Sequence, residues 1–350
     1  MEQRESGRTS LKSFKDLKPK TISVPQGELV GTSFLSAGGQ MPQVFAPHVE
    51  GVDLTDWSKA NVASIEAALQ THGALLFRGF PIETAHAFER FALTVCRELH
   101  GENGEHPRET VSGQVYTPVF YPSDQHLLWH NENSFNETWP TKILFCCIKP
   151  ATQGGETPIV DSRKVYELID PKIRERFEEQ GVMYVRNYSE GIGLNWQTVF
   201  QTESRAEVES YCRANGFAFE WKADGGFRTR CVRPAVVRHP QTGAKSWFNQ
   251  AQHWHVSCLE EEMRRSLAAM FKEEDLPRNC YYGSGSAIED AVMNEILDVY
   301  RSLEVCFPWR AGDIILLDNI LTAHARNAYE GERKMLVAMG DMSSYQAIGN

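Results

Sequence analysis

The sequence predicts a fold that is mainly β, a sandwich or barrel with helical insertions. From about residue 140 onward, short runs rich in β-forming residues dominate the chain. Turn signals such as "QGGE", "PQTG", "RAGD" and "YEGE" separate these runs. The runs do not alternate regularly with helices, which argues against a doubly wound parallel sheet. The 350 residues contain no internal repeat and no low-complexity linker, so one domain is the better count.

Before residue 100 the chain is predicted to run helix, strand, helix. In "SKANVASIEAALQTHG", Val62, Ile65 and Leu69 recur at helical spacing, and Gly73 stands where a helix C-cap is expected. The next segment, "ALLFRGF", is a short apolar run typical of a strand. "ETAHAFERFALTVCREL" then returns to the helical pattern through four apolar residues, Phe88, Phe91, Val95 and Leu99.

The later part of the chain supplies most of the predicted strands. They are "KILFCCI", "GVMYVRNY", "RPAVVRH", "SWFNQ", "DIILLDN" and "KMLVAMG". Helical patches lie between them at 204–214, 259–272 and 287–303. At the other end, residues 1–20 hold charged residues without periodicity, and we interpret them as a mobile N-terminal tail. Residues 21–350 are then the single domain.

Composition excludes several classes of function. Lys plus Arg number 36 against 46 Asp plus Glu, a net charge of -10 without a long basic run, which disfavours nucleic-acid and membrane partners. Eight scattered cysteines lack the CxxC spacing of a zinc ribbon and define no disulfide framework, although single disulfides remain possible. No apolar stretch reaches 18 residues, and the N-terminus lacks the apolar core of a secretory signal. A cytoplasmic location is expected.

The segment "WHNEN" places His130 and Glu132 two positions apart. In a strand, residues i and i+2 point the same way, so an imidazole and a carboxylate could be directed at a common point. His324 lies in a short connection between two predicted strands and is a third candidate ligand. Two histidines and one carboxylate form the facial triad of non-haem Fe(II) enzymes, which leaves coordination positions open for substrate and oxygen.

Two further residues fit a dicarboxylate cosubstrate. Arg333 follows His324 by nine residues and begins the next predicted strand, and its planar guanidinium suits a carboxylate. Thr157 offers a hydroxyl just after the tight glycine turn of "GGETPIVDS".

At these residues the sequence resembles the taurine dioxygenase-like Fe(II)/2-oxoglutarate-dependent oxygenases. The segments that carry the resemblance, in order, are "WHNENSF", "KPATQGGETPIVDSRKVY" and "WRAGDIILLDNILTAHARNAYEGERKMLVAM". "GALLFRGF" is similar to the strand that opens the core of these enzymes, and the similarity extends over roughly residues 70 to 341. It implies a double-stranded β-helix, or jelly roll, with iron at one mouth.

The resemblance also implies roles for individual residues. His130, Glu132 and His324 would hold Fe(II), and Arg333 with Thr157 would bind the distal carboxylate of 2-oxoglutarate. The better-known pattern has Asp where this chain has Glu132, and glutamate occurs in branches that resemble clavaminate synthase-like amino-acid hydroxylases. Family halogenases lack this carboxylate, so Glu132 favours hydroxylation. The implied reaction consumes O2 and 2-oxoglutarate and releases succinate and CO2, with the metal supplying the demanding chemistry.

Candidate substrate contacts are polar residues close to these motifs: Asn133, Asn249, Gln250 and Arg326. His253 and His255 form a second HxH pair without a nearby carboxylate, and we interpret them as non-ligating. "CYYGSGSAIED" has the glycines and serines of a flexible loop and could cover the mouth as a lid.

The predicted substrate is an amino acid or amino-acid derivative of specialised metabolism, free or tethered to a carrier protein. Hydroxylation and desaturation remain alternative outcomes at the same cofactors. Two other classes of function remain open. A zinc hydrolase could use the same ligands, although Arg333 and Thr157 would then have no purpose. A jelly-roll binding protein without turnover is the third possibility.

Overall fold

The computed structural model of the chain describes residues 29–101, 109–189, 193–223 and 225–349. The tail predicted for residues 1–20 lies outside these ranges. The strands are β1 Val30–Phe34, β2 Gln43–Pro47, β3 Ala74–Phe77, β4 Thr110–Ser112, β5 Val115–Tyr116, β6 Leu127–His130, β7 Thr138–Lys149, β8 Gln153–Gly154, β9 Ile159–Asp161, β10 Val182–Tyr188, β11 Ala218–Trp221, β12 Phe227–Arg233, β13 Val236–Arg238, β14 Lys245–Trp247, β15 Arg278–Tyr282, β16 Ile314–Asp318, β17 Thr322–Arg326, β18 Tyr329–Glu330 and β19 Lys334–Ser344. The α-helices are α1 Leu54–His72, α2 Ala85–Val95, α3 Ser162–Leu168, α4 Pro171–Gln180, α5 Trp196–Phe200, α6 Arg205–Ala214, α7 Ala251–Trp254, α8 Glu261–Met270 and α9 Asp290–Leu303.

Within the described ranges, the largest sheet has eight strands in the order β1-β2-β3-β16-β7-β19-β5-β4. A smaller sheet, β6-β17-β9, lies apart from it, and a four-stranded sheet has the order β11-β12-β10-β15. The pairings between strands are antiparallel except for that of β2 with β3. A doubly wound parallel sheet is therefore excluded, as the sequence predicts.

The predicted helix, strand and helix near the start of the chain are present as α1, β3 and α2. Asp53 caps the N-terminus of α1 by accepting a hydrogen bond from the Asp56 amide, and Gly73 ends the helix with φ of 73°. Ile65 and Leu69 are buried as expected, whereas Val62 is 39% exposed. The apolar stripe of α1 is therefore narrower than the sequence pattern indicates.

The central strands of the large sheet are apolar on both faces. On β7, Leu144 and Cys146 pack in the core cluster that contains α1 and α2, while Ile143 and Cys147 belong to a second cluster. This alternation follows from the two-residue period of a strand, which directs successive side chains to opposite faces. One face of the sheet is thus covered by helices, and the other contributes to a cavity.

All eight cysteines are free thiols. The described part of the chain therefore contains neither a disulfide framework nor a single disulfide. Burial raises the pKa of the Cys96 thiol to about 12 and that of the Cys147 thiol also to about 12.

Among the described residues, no helix combines the length and apolar character needed to cross a membrane.

Candidate metal centre and its cavity

A cavity of about 1110 Å³ lies between the large sheet and the smaller sheet. Strands β7 and β19 contribute the apolar side chains Ile143, Phe145, Met335, Val337 and Met339 to its lining. Strands β6 and β17 contribute Leu127, His130, His324, Ala325 and Arg326. The cavity is therefore apolar on one side and carries histidines on the other, as expected of a largely preformed small-molecule site.

His130 and His324 lie directly opposite each other on paired strands. Each is the partner of the other in the antiparallel register of β6 and β17. Side chains at directly opposed positions lie on the same face of a sheet and within contact distance. The two ring centroids are accordingly 4.3 Å apart, and both residues are buried. The register, rather than any local motif, brings the two imidazoles together.

The Glu132 carboxylate lies close to the two histidines, but strand alternation does not place it there as the sequence predicts. Strand β6 ends at His130, and Glu132 lies in the turn that follows, so strand alternation does not set its direction. Its carboxylate oxygen Oε2 is nevertheless 3.6 Å from Nε2 of His130 and 3.8 Å from Nε2 of His324. One ligand atom from each of the three residues lies within 4.8 Å of the others.

The donor atoms of this group suit a divalent transition metal. Nδ1 of His130 is 2.9 Å from the Leu128 carbonyl oxygen, which can only accept, so Nδ1 carries the proton. Nε2 of the same ring then presents its lone pair toward Glu132, the arrangement usual for metal-binding histidines. Two imidazole nitrogens and one carboxylate could hold Fe(II) on one face. His253 lines the same cavity, with its ring 5.2 Å from that of His130, but neither it nor His255 belongs to this group.

Arg333 and Thr157 line the cavity together with the three ligand candidates. Burial, followed by the nearby Arg326 cation, lowers the pKa of Arg333 to about 10, so the guanidinium remains charged at neutral pH. Its Nε donates to the Gly155 carbonyl at 2.9 Å, and none of the salt bridges between described residues includes its guanidinium. A partly buried cation without such a partner favours the binding of an anion.

The Thr157 hydroxyl is buried and oriented by a neighbour. The indole Nε1 of Trp309 donates to Thr157 Oγ1 at 3.2 Å. Because the oxygen already accepts this bond, the hydroxyl hydrogen can be donated to an anion in the cavity. A tryptophan therefore fixes the polarity of this hydroxyl.

The two glycines before Thr157 allow Arg333 to approach closely. Gly155 has φ of 74°, and a Cβ built on it would lie 3.0 Å from Cδ of Arg333. A Cβ on Gly154 would lie 2.2 Å from the carbonyl oxygen of Ala328. Only glycine fits at both positions. The "QGGE" turn thus allows β8 to pair with β18 beside Arg333.

Of the four residues predicted to contact substrate, three line the cavity and one does not. Asn133 and Gln250 line the cavity, although Gln250 Nε2 already donates to the Asn131 carbonyl at 2.8 Å. Asn249 is not part of the lining. Its side chain bonds the Ala235 carbonyl and the Ala251 amide, which makes it a structural residue that holds the start of α7. Short-range sequence context could not separate these neighbours.

Arg326 also has a structural role that the sequence did not reveal. It lines the cavity, but its guanidinium donates to three carbonyls, of Tyr121 at 2.9 Å, Pro122 at 2.5 Å and Gln125 at 2.7 Å. It also lies over the rings of Tyr121 and Tyr329. These contacts fix residues 117–125, hereafter the mouth segment, at the edge of the cavity.

The mouth segment, and not the predicted lid, borders the cavity. It contributes the residues from Thr117 to Asp124 to the lining, and Phe120 at its tip is 88% exposed. The glycine and serine loop of "CYYGSGSAIED" is absent from the lining. It packs elsewhere, where Ser284 donates to Gln180 at 2.7 Å and Gly283 bonds the Gly181 carbonyl. The lid prediction is wrong because a flexible composition does not determine location.

Arg326→Ala is expected to loosen the mouth segment. Hydrogen bonds from a charged donor contribute roughly 1.5–3 kcal/mol each. Losing several should therefore speed local amide exchange at least about tenfold. Hydrogen exchange of residues 117–125 measures this, and exchange of β6 is the internal control. Unchanged protection of the mouth segment would show that other contacts hold it.

Several known proteins resemble this chain in sequence or in fold. Residues 38–339 match the model of the taurine catabolism dioxygenase TauD, TfdA family. The chain is 39% identical over 304 residues to the dapdiamide synthesis protein DdaC of Enterobacter agglomerans, covering 85% of this chain and 92% of that protein. It is 30% identical over 289 residues to a clavaminate synthase-like protein of Arabidopsis thaliana, covering 79% and 83%. The crystal structure of a taurine dioxygenase from Burkholderia xenovorans superposes with a TM-score of 0.54 at 18% identity, covering 91% and 92% of the two chains.

Proposed function

Because the chain belongs to the taurine catabolism dioxygenase TauD, TfdA family, we propose that it hydroxylates an unactivated C-H bond of an amino acid. It is an Fe(II)/2-oxoglutarate-dependent dioxygenase, and its substrate is a small molecule. The amino acid is either free or tethered to a carrier protein. The observation that carries this proposal is the presence of a two-histidine, one-carboxylate group and a partly buried arginine in one cavity.

His130, Glu132 and His324 are the proposed iron ligands. The support is the donor set, the ligand atoms that all lie within 4.8 Å of one another, and the protonated Nδ1 of His130. When bound, iron and 2-oxoglutarate supply the oxidation. One oxygen atom of O2 enters the substrate, the other enters succinate, and CO2 is released. The three side chains would hold the metal beside the cavity that they line.

Arg333 and Thr157 are the proposed contacts of the distal carboxylate of 2-oxoglutarate. The guanidinium of Arg333 offers two parallel hydrogen bonds, and the Thr157 hydroxyl, oriented by Trp309, offers a third. Apolar side chains of β7 and β19 line the same cavity as Arg333 and Thr157. The desolvated arginine is therefore stabilised when the cosubstrate binds.

The remaining space supports an amino-acid derivative as substrate. A cavity volume of about 1110 Å³ slightly exceeds the usual range of about 300–1,000 Å³ for small-molecule pockets, which leaves room for a substrate beside 2-oxoglutarate. Asn133 and Gln250 are proposed contacts for polar substrate groups. A relative that is a dapdiamide synthesis protein supports a role in specialised metabolism.

We also propose that the large sheet and the β6-β17-β9 sheet are the two sides of a jelly roll. The cavity between them is the support for this assignment. The proposed domain extends over residues 21–350, with the helices as insertions and as a cover on the large sheet.

A substrate screen tests the proposed reaction. Candidate amino acids, free and as carrier-protein thioesters, are incubated with Fe(II), 2-oxoglutarate and O2, and succinate is measured. A substrate should stimulate succinate formation, and its product should gain one oxygen atom. Loss of two hydrogens instead would indicate desaturation. Hydrolysis that persists without O2, or no stimulation across the panel, would contradict the proposal.

A further inference from the structure

One buried amide holds the main chain of Glu132 from both sides. Oδ1 of Asn319 accepts from the Glu132 amide at 2.8 Å, and Nδ2 donates to the Glu132 carbonyl at 2.9 Å. Nδ2 also donates to the Pro140 carbonyl at 2.8 Å. Asn319 is fully buried and lies 187 residues away in the chain. The side-chain amide of Asn319 thus bonds the main-chain N–H and C=O of Glu132, as the main chain of a neighbouring β-strand would.

This contact matters because Glu132 has no strand to orient it. Strand β6 ends at His130, and Glu132 lies in a turn, so the direction of its carboxylate depends on the turn's main-chain angles. The amide of Asn319 fixes both polar groups of that residue. From this turn the carboxylate Oε2 lies 3.6 Å from Nε2 of His130 and 3.8 Å from Nε2 of His324.

Asn319 is itself fixed by its surroundings. Its own amide donates to the Thr141 carbonyl at 2.9 Å, and its carbonyl accepts from Nδ2 of Asn131 at 2.7 Å. Asp318, the preceding residue, accepts from the amides of Ile320 and Leu321. The Asn131 side chain therefore bonds the main chain of Asn319, and the Asn319 side chain bonds the main chain of Glu132. These bonds attach the turn that carries Glu132 to the end of β16.

We propose that Asn319 is a positioning residue that orients the Glu132 carboxylate for metal binding through the Glu132 main chain. This rests on the proposed role of Glu132 as a ligand. The chemistry of the contact requires an amide, because its two ends face groups of opposite polarity. Aspartate has the same shape but would direct an oxygen at two carbonyl oxygens.

The test compares Asn319→Ala with a matched control, Asn187→Ala. Asn187 is also buried, donates to two main-chain carbonyls, of Glu274 and Leu276, and accepts one hydrogen bond, from Arg228. Each variant loses two hydrogen bonds donated to main-chain carbonyls and one accepted hydrogen bond. Affinity of the apoprotein for Mn(II) alone is measured by calorimetry, and thermal unfolding of the apoprotein is measured in parallel.

Both variants should unfold at lower temperature, but only Asn319→Ala should bind Mn(II) more weakly, by about 10-fold to 100-fold. The control should stay within about twofold of the unaltered protein, a range small beside the loss expected for a ligand-positioning residue. Asn319→Ser, which keeps a small polar side chain, repeats the comparison if the alanine variant does not fold. Equal Mn(II) affinity in both variants would overturn the proposal.

A double variant separates failure of this inference from failure of the ligand assignment. If Asn319 acts through Glu132, then Asn319→Ala should cause no further loss of Mn(II) affinity in a Glu132→Ala background. An additional tenfold loss there would show that Asn319 acts by another route. If Glu132→Ala alone leaves Mn(II) affinity unchanged, the assignment of Glu132 as a ligand fails first.

Discussion

Replacing His130, Glu132 or His324 with alanine should abolish turnover and weaken metal binding more than any other single change. Removing one of three ligands lowers metal affinity directly and spoils the facial arrangement. Loss of a residue that only orients a ligand typically costs about 10-fold to 100-fold, so loss of a ligand should exceed that range. Turnover is measured as substrate-stimulated succinate formation, and metal content is measured after anaerobic loading with Fe(II).

His253→Ala is the matched control for the histidine variants. His253 lines the same cavity, with its ring 5.2 Å from that of His130, but it lies outside the ligand group. The variant should therefore keep its iron. Glu132→Asp should retain part of the Fe(II) binding but show reduced activity. The negative charge remains, whereas the shorter side chain no longer extends as far toward the metal. Near-normal activity in any of the three alanine variants would refute the ligand assignment.

Arg333→Ala should weaken 2-oxoglutarate binding at least about thirtyfold while iron binding stays close to that of the unaltered protein. The variant would leave the distal carboxylate buried without its partner, a loss of roughly 2 to 5 kcal/mol for a desolvated charge pair. Lysine at this position should restore only part of the affinity, since an ammonium keeps the charge but cannot make two parallel hydrogen bonds. The measurement is an anaerobic titration of the Fe(II) protein with 2-oxoglutarate, followed by visible absorption.

Two further variants show whether this effect is specific. Thr157→Val should lower the affinity in the same direction but less, because it removes one hydroxyl at nearly constant shape. Lys334→Ala removes the neighbouring cation, which is exposed at the edge of the cavity. It should have little effect on the titration. If Lys334→Ala weakens 2-oxoglutarate binding as much as Arg333→Ala does, the cavity attracts the anion through its overall positive electrostatic potential and not through a direct contact with Arg333.

The sequence identified the candidate ligands better than it explained them. His130 and His324 were predicted to meet, and the register of β6 and β17 provides the reason. The explanation for Glu132 was wrong, because strand alternation stops at His130 and the carboxylate is directed by a turn. Local spacing can suggest which side chains belong to a site. It cannot show which contacts fix their angles.

The features that sequence reasoning missed depend on contacts between distant segments. Asn319 stands in a predicted strand, "DIILLDN", and nothing near it indicates that its amide bonds Glu132. Arg326 was expected at the substrate, but its donors are used by carbonyls about 200 residues earlier in the chain. The only available signal was chemical, since buried Asn and Arg side chains must find partners somewhere.

The pairing of β6 with β17 also determines when the site can exist during biosynthesis. Glu132 and Asn319 are separated by 187 residues, and at about 5–20 residues per second translation takes roughly 10 to 40 s to pass from one to the other. Throughout that interval β6 has no β17 to pair with, and the nascent chain holds only two of its three candidate ligands. Such non-local pairing is also slow to form once the chain is complete. The three candidate ligands can therefore come together only after β17 has been synthesised and has paired with β6.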